Sequence, residues 1–408
     1  MTAEHNAPTE QIRILTEEVL PYITELRRDL HRHPELSEQE VWTENRICAE
    51  LEAIGLPYRR GVAGHGVTAD ITGTAPCGTD SRPKRAVAIR ADIDALPLEE
   101  LNDVPYRSEI SGAMHACGHD FHTAILIGTA KVLTQMRSCF AGTVRLLFQP
   151  AEETIGGADR MIQEGCLRDP EITDVIGLHL ASDLCYDMVE IVPGAMNAAS
   201  RDFHITVRGK GGHGAYPQEC VDPLIPACEM VLGFQTMLSR QFAATDSNLI
   251  TVSILNSGSV INVIPNETNL SGIIRTLESD RMEPLTREIR TLCEGVAAAH
   301  GASVQVEIGE GYPLLYNDPV LQEDVTRAVS DIIGEDRIRF TKGTMGTDDF
   351  AFFCHAARGF FYNLGILSQP DDPVIPLHSR VFCPDERCIR TGILTEAASV
   401  LQILAGNR

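Results

Sequence analysis

Apolar positions recur along the chain at two spacings, and stretches of each alternate. Over residues 11–32 they fall at Ile14, Val19, Leu20, Ile23, Leu26 and Leu30, one face of a helix that Pro34 stops. Ser37-Glu38-Gln39-Glu40 has the form of a capping box and predicts a second helix to residue 51. His31 and His33, where the first helix ends, read as local caps of that end. From residue 86 the pattern shifts to short apolar runs. Runs over 86–94, 143–150 and 173–179 predict buried strands, with helices over 121–136 and 158–164 between them. This alternation predicts an α/β domain on a mainly parallel sheet with helices on both faces.

The pattern changes again after Pro193-Gly194. Strands over 202–207, 248–255, 267–276 and 303–308 and helices over 223–240 and 280–300 follow in the order β-α-β-β-α-β. That is the split motif of ferredoxin-like folds. It reads as a second domain, residues 196–307, inserted into a first made of 1–195 and 308–408. A helix over 318–333, a loop over 343–350, a short strand over 360–364 and a closing helix over 385–404 complete the first.

Charge and composition narrow the function. The formal charge is −23, from 57 acidic against 34 basic residues. Nucleic acid and anionic membranes are therefore poor partners, and a site for an anionic substrate must carry its own positive charge. The first twelve residues are polar, without the apolar core of a signal peptide. No apolar stretch approaches the roughly 20 residues of a membrane span. The 12 cysteines include no Cys-x-x-Cys pair and read as reduced and mostly buried. The expected location is cytoplasmic.

Residues with chemical potential gather at strand ends. Asp92, Asp94, Glu152, Glu153 and His179 all stand at the carboxyl ends of predicted strands, the edge where open α/β sheets bind ligands. Between the first two strands lies Met114-His115-Ala116-Cys117-Gly118-His119-Asp120-Phe121-His122. Cys117 and His119 alternate, so one short loop can aim a thiolate and an imidazole at one point, a pair suited to zinc, cobalt, nickel or manganese. The plainer alternative is a helix capped by Asp120, its histidines merely hydrogen-bonded. A catalytic metal needs about three protein ligands and an open position. Cys117, His119, one of the paired glutamates, His179 and His378 supply that, with enough left for two ions. Adjacent glutamates at a strand end point in different directions, so one can bind metal while the other acts as general base. Two neighbouring glutamates are more often a solvated surface pair, but that is less natural directly after a buried strand. Asp94 either orients a ligand or binds metal itself. Asp92 reads as a salt-bridge partner of Arg90, and His378 reads equally as a satisfied loop histidine.

Several stretches together carry a family resemblance. They are Asp29-Leu30-His31-Arg32-His33-Pro34-Glu35-Leu36-Ser37, Arg90-Ala91-Asp92-Ile93-Asp94-Ala95-Leu96-Pro97, the Met114 to His122 motif, and Gln149-Pro150-Ala151-Glu152-Glu153. Gly177-Leu178-His179, Gly209-Lys210-Gly211-Gly212-His213-Gly214-Ala215-Tyr216-Pro217, Asn262-Val263-Ile264-Pro265 and Pro376-Leu377-His378-Ser379 continue the series over nearly the whole chain. The sequence resembles the metal-dependent amidohydrolases of the aminoacylase and carboxypeptidase family, and most of all the branch of hippurate hydrolases and plant auxin–amino acid conjugate hydrolases.

The resemblance implies specific roles. Cys117, His119, Glu153, His179 and His378 would hold two divalent ions (zinc, manganese, cobalt or nickel), the Cys117 thiolate being shared. Glu152 matches the general base, and Asp94 an aspartate that other branches place beside their first histidine ligand. The inserted domain would be a lid that also forms a homodimer. His213 matches a lid histidine that reaches the partner subunit's site and polarises the scissile carbonyl. Asn262 and Arg275 match lid positions facing the substrate, and the Arg275 fork suits a carboxylate. By residue type alone, His213 is a turn residue and Arg275 a surface charge. The chain departs from the family at Thr154-Ile155, where glycine is common, at Asp348, where glutamate is usual, and at Arg380, where proline is common. None removes a ligand or the base, so these departures bear on substrate preference.

The implied activity is hydrolysis of the amide bond of an N-acyl amino acid, releasing a carboxylic acid and a free amino acid. A dipeptidase or carboxypeptidase on the same scaffold is the nearest rival; a free ammonium would need an acidic or polar pocket that no sequence feature clearly provides. A non-catalytic metal- or ligand-binding protein is the other, and Glu152 argues against it, since a pure binding site has no use for a base.

Overall fold

The apolar runs become the middle of a large sheet. Thr143–Gln149 pairs in parallel with Ala86–Asp92, Ala86–Asp92 with Asp174–Cys185, and Asp174–Cys185 with Arg358–Leu367. Antiparallel strands extend it on both sides. Gly66–Thr72 runs against Thr143–Gln149 and Tyr58–Val62 against Gly66–Thr72; on the far side Val189–Ile191 runs against Arg358–Leu367, with Ile338–Phe340 parallel outside it. Among the described residues the sheet has eight strands. The computed structural model describes residues 3–76, 85–154 and 156–406.

Every residue of Ala86–Asp92 is buried, as a strand covered on both faces requires. On one face Val87, Ile89 and Ala91 join the core beneath helices Ala3–Arg32, His119–Gln135, Pro319–Ile333 and Cys388–Ala405. On the other face Arg90 is fully buried among polar partners. Its guanidinium donates to Gln149 (2.7 Å), Asp92 (2.7 Å) and Asp349 (2.8 Å) beside the Phe350 and Phe361 rings. Short helices Gly157–Gln163 and Phe350–Ala356 cover this side. A buried cation is tolerable only when so fully partnered.

The chain forms two compact units by its internal contacts, and the second comprises Ala195–Leu315 and Gly343–Asp348. Its four-stranded sheet has the order Asn248–Ser257, Glu267–Thr276, Ala199–Arg208, Ser303–Ile308, antiparallel throughout. With helices Leu224–Gln241 and Met282–Ala299 this is the ferredoxin-like topology. It has its own core, in which Phe203, Ile205, Phe234, Leu285 and Ile289 are buried. Thr344 belongs here because it bridges Asn197 and bonds the Met196 carbonyl.

Three local expectations are corrected. The capping box does not form: Glu38 takes a left-handed φ of 65°, and the second helix begins later, at Val41–Ile54. Glu35 accepts from the Trp42 and Thr43 amides instead, and the Ser37 hydroxyl donates to Asp94 (2.7 Å). His31 does not cap its helix, because it is buried against Asp120 (2.7 Å) and Glu100 (3.2 Å); His33 does bond the Asp29 carbonyl, one turn back. Finally, Cys388–Ala405 is long and apolar enough to cross a membrane, and 67% of it is buried inside the protein. The apolar surround explains both facts: this helix packs against Ala3–Arg32, His119–Gln135 and Pro319–Ile333.

That helix carries a buried acid, Glu396, whose carboxylate accepts from Thr129 (2.7 Å). Burial pushes its pKa from the ordinary 4.5 up to about 8. Between those values the folded chain keeps a proton that the unfolded chain has lost, so stability falls as pH rises across the window. Glu396→Gln should therefore be more stable than the parent by on the order of 2–4 kcal/mol at pH 8 and nearly equal to it near pH 4.5. Thermal unfolding at the two pH values checks this, and a gain of equal size at both would contradict it.

Candidate metal centre

The loop after Ala86–Asp92 returns to the sheet edge at Met114, which exchanges both backbone hydrogen bonds with Leu96. It turns at Gly118 into helix His119–Gln135. Gly118 has φ 91°, and a side chain there would run into Leu180. Glycine is thus required for Cys117 and His119 to stand on either side of one sharp turn. His378 arrives from a separate loop at φ 61°, its N–H donating to the Ala116 carbonyl (2.8 Å). His179 sits within Asp174–Cys185 rather than at its end; pairing with Ala86–Asp92 stops at Gly177, two residues before it, while Asn363 still pairs with His179 on the other side.

These elements place the side chains together. Cys117 Sγ lies 3.4 Å from His179 Nε2 and 3.3 Å from His378 Nε2. Glu153 Oε1 is 3.3 Å from His378 Nε2 and 3.9 Å from His119 Nε2. Three overlapping groups result: Cys117, His119 and His179; Cys117, Glu153 and His378; and His119, Glu152 and Glu153. Within each, the ligand atoms lie within 4.8 Å of one another.

Asp94 fixes the arrangement. His119 Nδ1 faces its carbonyl (2.9 Å) and its carboxylate (3.2 Å), while the Glu153 amide (3.0 Å) and the Ser37 hydroxyl (2.7 Å) donate to the other carboxylate oxygen. Burial works to raise the Asp94 pKa, but the hydrogen bonds from His119, Ser37 and the Glu153 amide outweigh it and leave the carboxyl below its usual value. With its proton on Nδ1, His119 presents the Nε2 lone pair to the cluster. That Nε2 and Glu153 Oε1 are buried without hydrogen-bond partners among the described residues.

The residues fit a metal. A cation among these donors would satisfy both orphaned atoms, which are otherwise costly to bury. Burial also pushes the Cys117 thiol well above its ordinary pKa, so its thiolate needs a strong neighbouring charge. One thiolate, three imidazoles and a carboxylate form the mixed set that borderline divalent ions accept.

Sequence spacing missed several contributors. Asp92 pairs with Arg90 and also takes His122 Nδ1 (2.6 Å), and Asp92, His119 and His122 make a further donor group. His122 follows His119 by three residues on a helix, a spacing that puts both on one face. Asp120 does not cap the helix. Burial would raise its carboxyl, but Arg27 (2.9 Å) and His31 (2.7 Å) hold it below the usual range.

His213, Asn262 and Arg275 belong to the second unit. His213 is exposed on the two-stranded ribbon Gly212–His213 and Val263–Ile264, and its Nδ1 accepts from the Ala215 amide (3.1 Å). Asn262 adjoins it, its carbonyl taking the Gly214 amide (2.8 Å). Arg275, in Glu267–Thr276, gives one guanidinium N–H to the Met345 carbonyl, and its Nε is buried without a hydrogen-bond partner among the described residues. Of the departures, Thr154 is exposed, Asp348 is buried, and Arg380 donates to the Glu99 carbonyl (2.9 Å); Ile155 lies outside the described residues.

A mixed α/β sheet thus carries a Cys-His-Glu cluster at its edge with a second glutamate beside it. Residues 88–398 match the pattern of peptidase family M20/M25/M40. An IAA-amino acid hydrolase ILR1-like 2 from Arabidopsis thaliana is 34% identical over 391 residues, covering 95% of this chain and 86% of its own. Thermostable carboxypeptidase 2 from Saccharolobus solfataricus is 32% identical over 391 residues, covering 95% and 97%. The Bacillus subtilis YXEP protein, described as a dinuclear metal binding peptidase from the M20 family, superposes with a TM-score of 0.83 at 30% identity, over 95% of this chain and 99% of its own. The chain belongs to peptidase family M20/M25/M40.

The Asp94 contacts generate a prediction. Asp94→Ala removes the carboxylate that orients His119 and holds the Glu153 amide, and should weaken divalent-ion binding by roughly 10–100-fold. Competition with a chromogenic chelator measures this, and parent-like affinity would show that Asp94 orients nothing.

Proposed function

We propose that the chain hydrolyses the amide bond of N-acyl amino acids, using two divalent ions held by Cys117, His119, Glu153, His179 and His378. The observation that carries this is the Glu152 carboxylate beside Glu153 and His119, with ligand atoms within 4.8 Å of one another. It is a second carboxylate at a point where the other donors already suffice for binding. A divalent ion there supplies Lewis acidity, polarising the acyl carbonyl and easing deprotonation of water.

The chain's own groups do the rest. Glu152 takes the proton from the attacking water and returns it to the leaving amine nitrogen. Asp94 keeps the His119 tautomer fixed, so the donor geometry survives the reaction. His213 of a neighbouring subunit would donate to the developing oxyanion, a contact worth about 3–4 kcal/mol. Arg275 is assigned the substrate carboxylate, with Asn262 beside the substrate, and so supplies the local positive charge that an anionic substrate needs on a chain of net charge −23. Homodimerisation is supported by the edge strand Asn248–Ser257, which exposes Ile254 and Leu255 near the exposed Val260 and Ile261. The cysteines among the described residues are free, which supports a reducing, cytoplasmic setting.

The carboxypeptidase reading is favoured by one observation, the 32% identity to a protein of that name. Its chemistry is close, since a peptide's last amide is also an N-acylated amino acid. Amino acid release from N-acetyl, N-benzoyl and long-chain N-acyl amino acids, beside longer peptides and free dipeptides, separates the readings. Cleavage of acylated amino acids is expected, and cleavage of peptides or dipeptides alone would overturn the proposal.

Two variants probe the roles. Glu152→Gln should lower kcat by about 10²–10⁴-fold with metal content retained, and a near-parent rate would remove the base assignment. Arg275→Ala should raise KM for N-acyl amino acids with a smaller effect on kcat; an unchanged KM would free Arg275 from the carboxylate role.

A further inference from the structure

Glu40 is fully buried, and nothing proposed above uses it. Its Oε1 accepts from the Ala151 amide (2.9 Å), while Oε2 is buried with no hydrogen-bond partner among the described residues. Burial, together with the nearby Asp94 charge, pushes its pKa up to about 6. A carboxyl group kept at such a place is expensive, and an apolar residue would fill the space more cheaply.

What it holds is unusual. Ala151 stands at φ 55°, in the left-handed region that favours glycine, and its carbonyl accepts from Gly156 (3.1 Å). Two residues on, the Glu153 amide donates to Asp94 (3.0 Å). Two buried acids, Glu40 and Asp94, thus hold the amides of residues 151 and 153, and Glu152 lies between the two fixed points. Both acids depend on the segment that failed to form a capping box: Ser37 bonds Asp94, and Glu40 stands immediately before the helix.

We propose that Glu40 is a positioning residue for hydrolysis, clamping the Ala151 amide so that the Glu152 carboxylate points at the reacting water. This rests on the reading of Glu152 as general base.

The test compares the metal-loaded parent with Glu40→Ala and Glu40→Gln. Glu40→Ala should lower kcat by roughly 10–100-fold, as small misplacements of reacting groups do, with KM and metal content near those of the parent. Glu40→Gln keeps an acceptor oxygen for the Ala151 amide and should return kcat to within a few-fold of the parent. Hydrogen exchange at the Ala151 amide reads the clamp without activity: slow in the parent and in Glu40→Gln, fast in Glu40→Ala. If Glu40→Ala does not fold, adding Ala151→Gly relieves the left-handed strain and keeps the comparison available. Parent-like kcat in Glu40→Ala, a loss of kcat that Glu40→Gln does not rescue, or rapid exchange at Ala151 in the parent would each overturn the proposal. A parent inactive on N-acyl amino acids and peptides alike would instead remove the Glu152 reading, and this assignment with it.

Discussion

One carboxylate, that of Asp94, ties the candidate site to the fold. It sits just past a fully buried strand and meets His119, the Glu153 amide and the Ser37 hydroxyl at once. Those partners come from the start of helix His119–Gln135, the loop after Thr143–Gln149 and the N-terminal segment. A buried carboxylate needs several donors to remain charged, and the donors need it to stay in place. The cluster and the sheet edge therefore depend on each other. Beneath it, Arg90 joins Asp92, Gln149 and Asp349, so neighbouring strand ends are held by paired charges rather than by apolar packing.

This edge is short of positive charge. Asp92, Glu152, Glu153 and Cys117 gather with histidines, and Arg90 beside them is engaged by Gln149, Asp92 and Asp349. Burial disfavours a thiolate at Cys117, and His119 Nε2 and Glu153 Oε1 lack hydrogen-bond partners among the described residues. All three features have one physical remedy, a cation at the centre of the cluster. The hydrolysis proposed for such a centre would use Glu152, which lies beside Glu153 and His119, as its base, with His213 and Arg275 in the roles assigned above.

Much of this was legible from spacing. The parallel strands are apolar runs, and in the second unit Glu267–Thr276 and Ser303–Ile308 alternate in burial, so both periods show. Cys117 and His119 are recognisable because their ligand geometry is local. What stayed hidden is short or long-range. Val189–Ile191 and Ile338–Phe340 have three residues each, too few to display a period, and most of Tyr58–Val62 is exposed. Gly66–Thr72 does alternate through Val67, Ala69 and Ile71, a signal that was there to be read. The Ser37 to Glu40 stretch has the composition of a capping box, yet a single left-handed residue, Glu38, redirects it to the site. The ion pairs of Asp120 with Arg27 and His31 join residues about ninety positions apart, which no local rule can foresee.

The central claim is that this cluster is a two-metal centre organised by Asp94. Anomalous diffraction from crystals of the protein loaded with zinc or manganese tests it most directly. Two peaks are expected in contact with Cys117, His119, Glu153, His179 and His378, with Glu152 beside them. No peak at this cluster, or ions held only by surface carboxylates elsewhere, would contradict it.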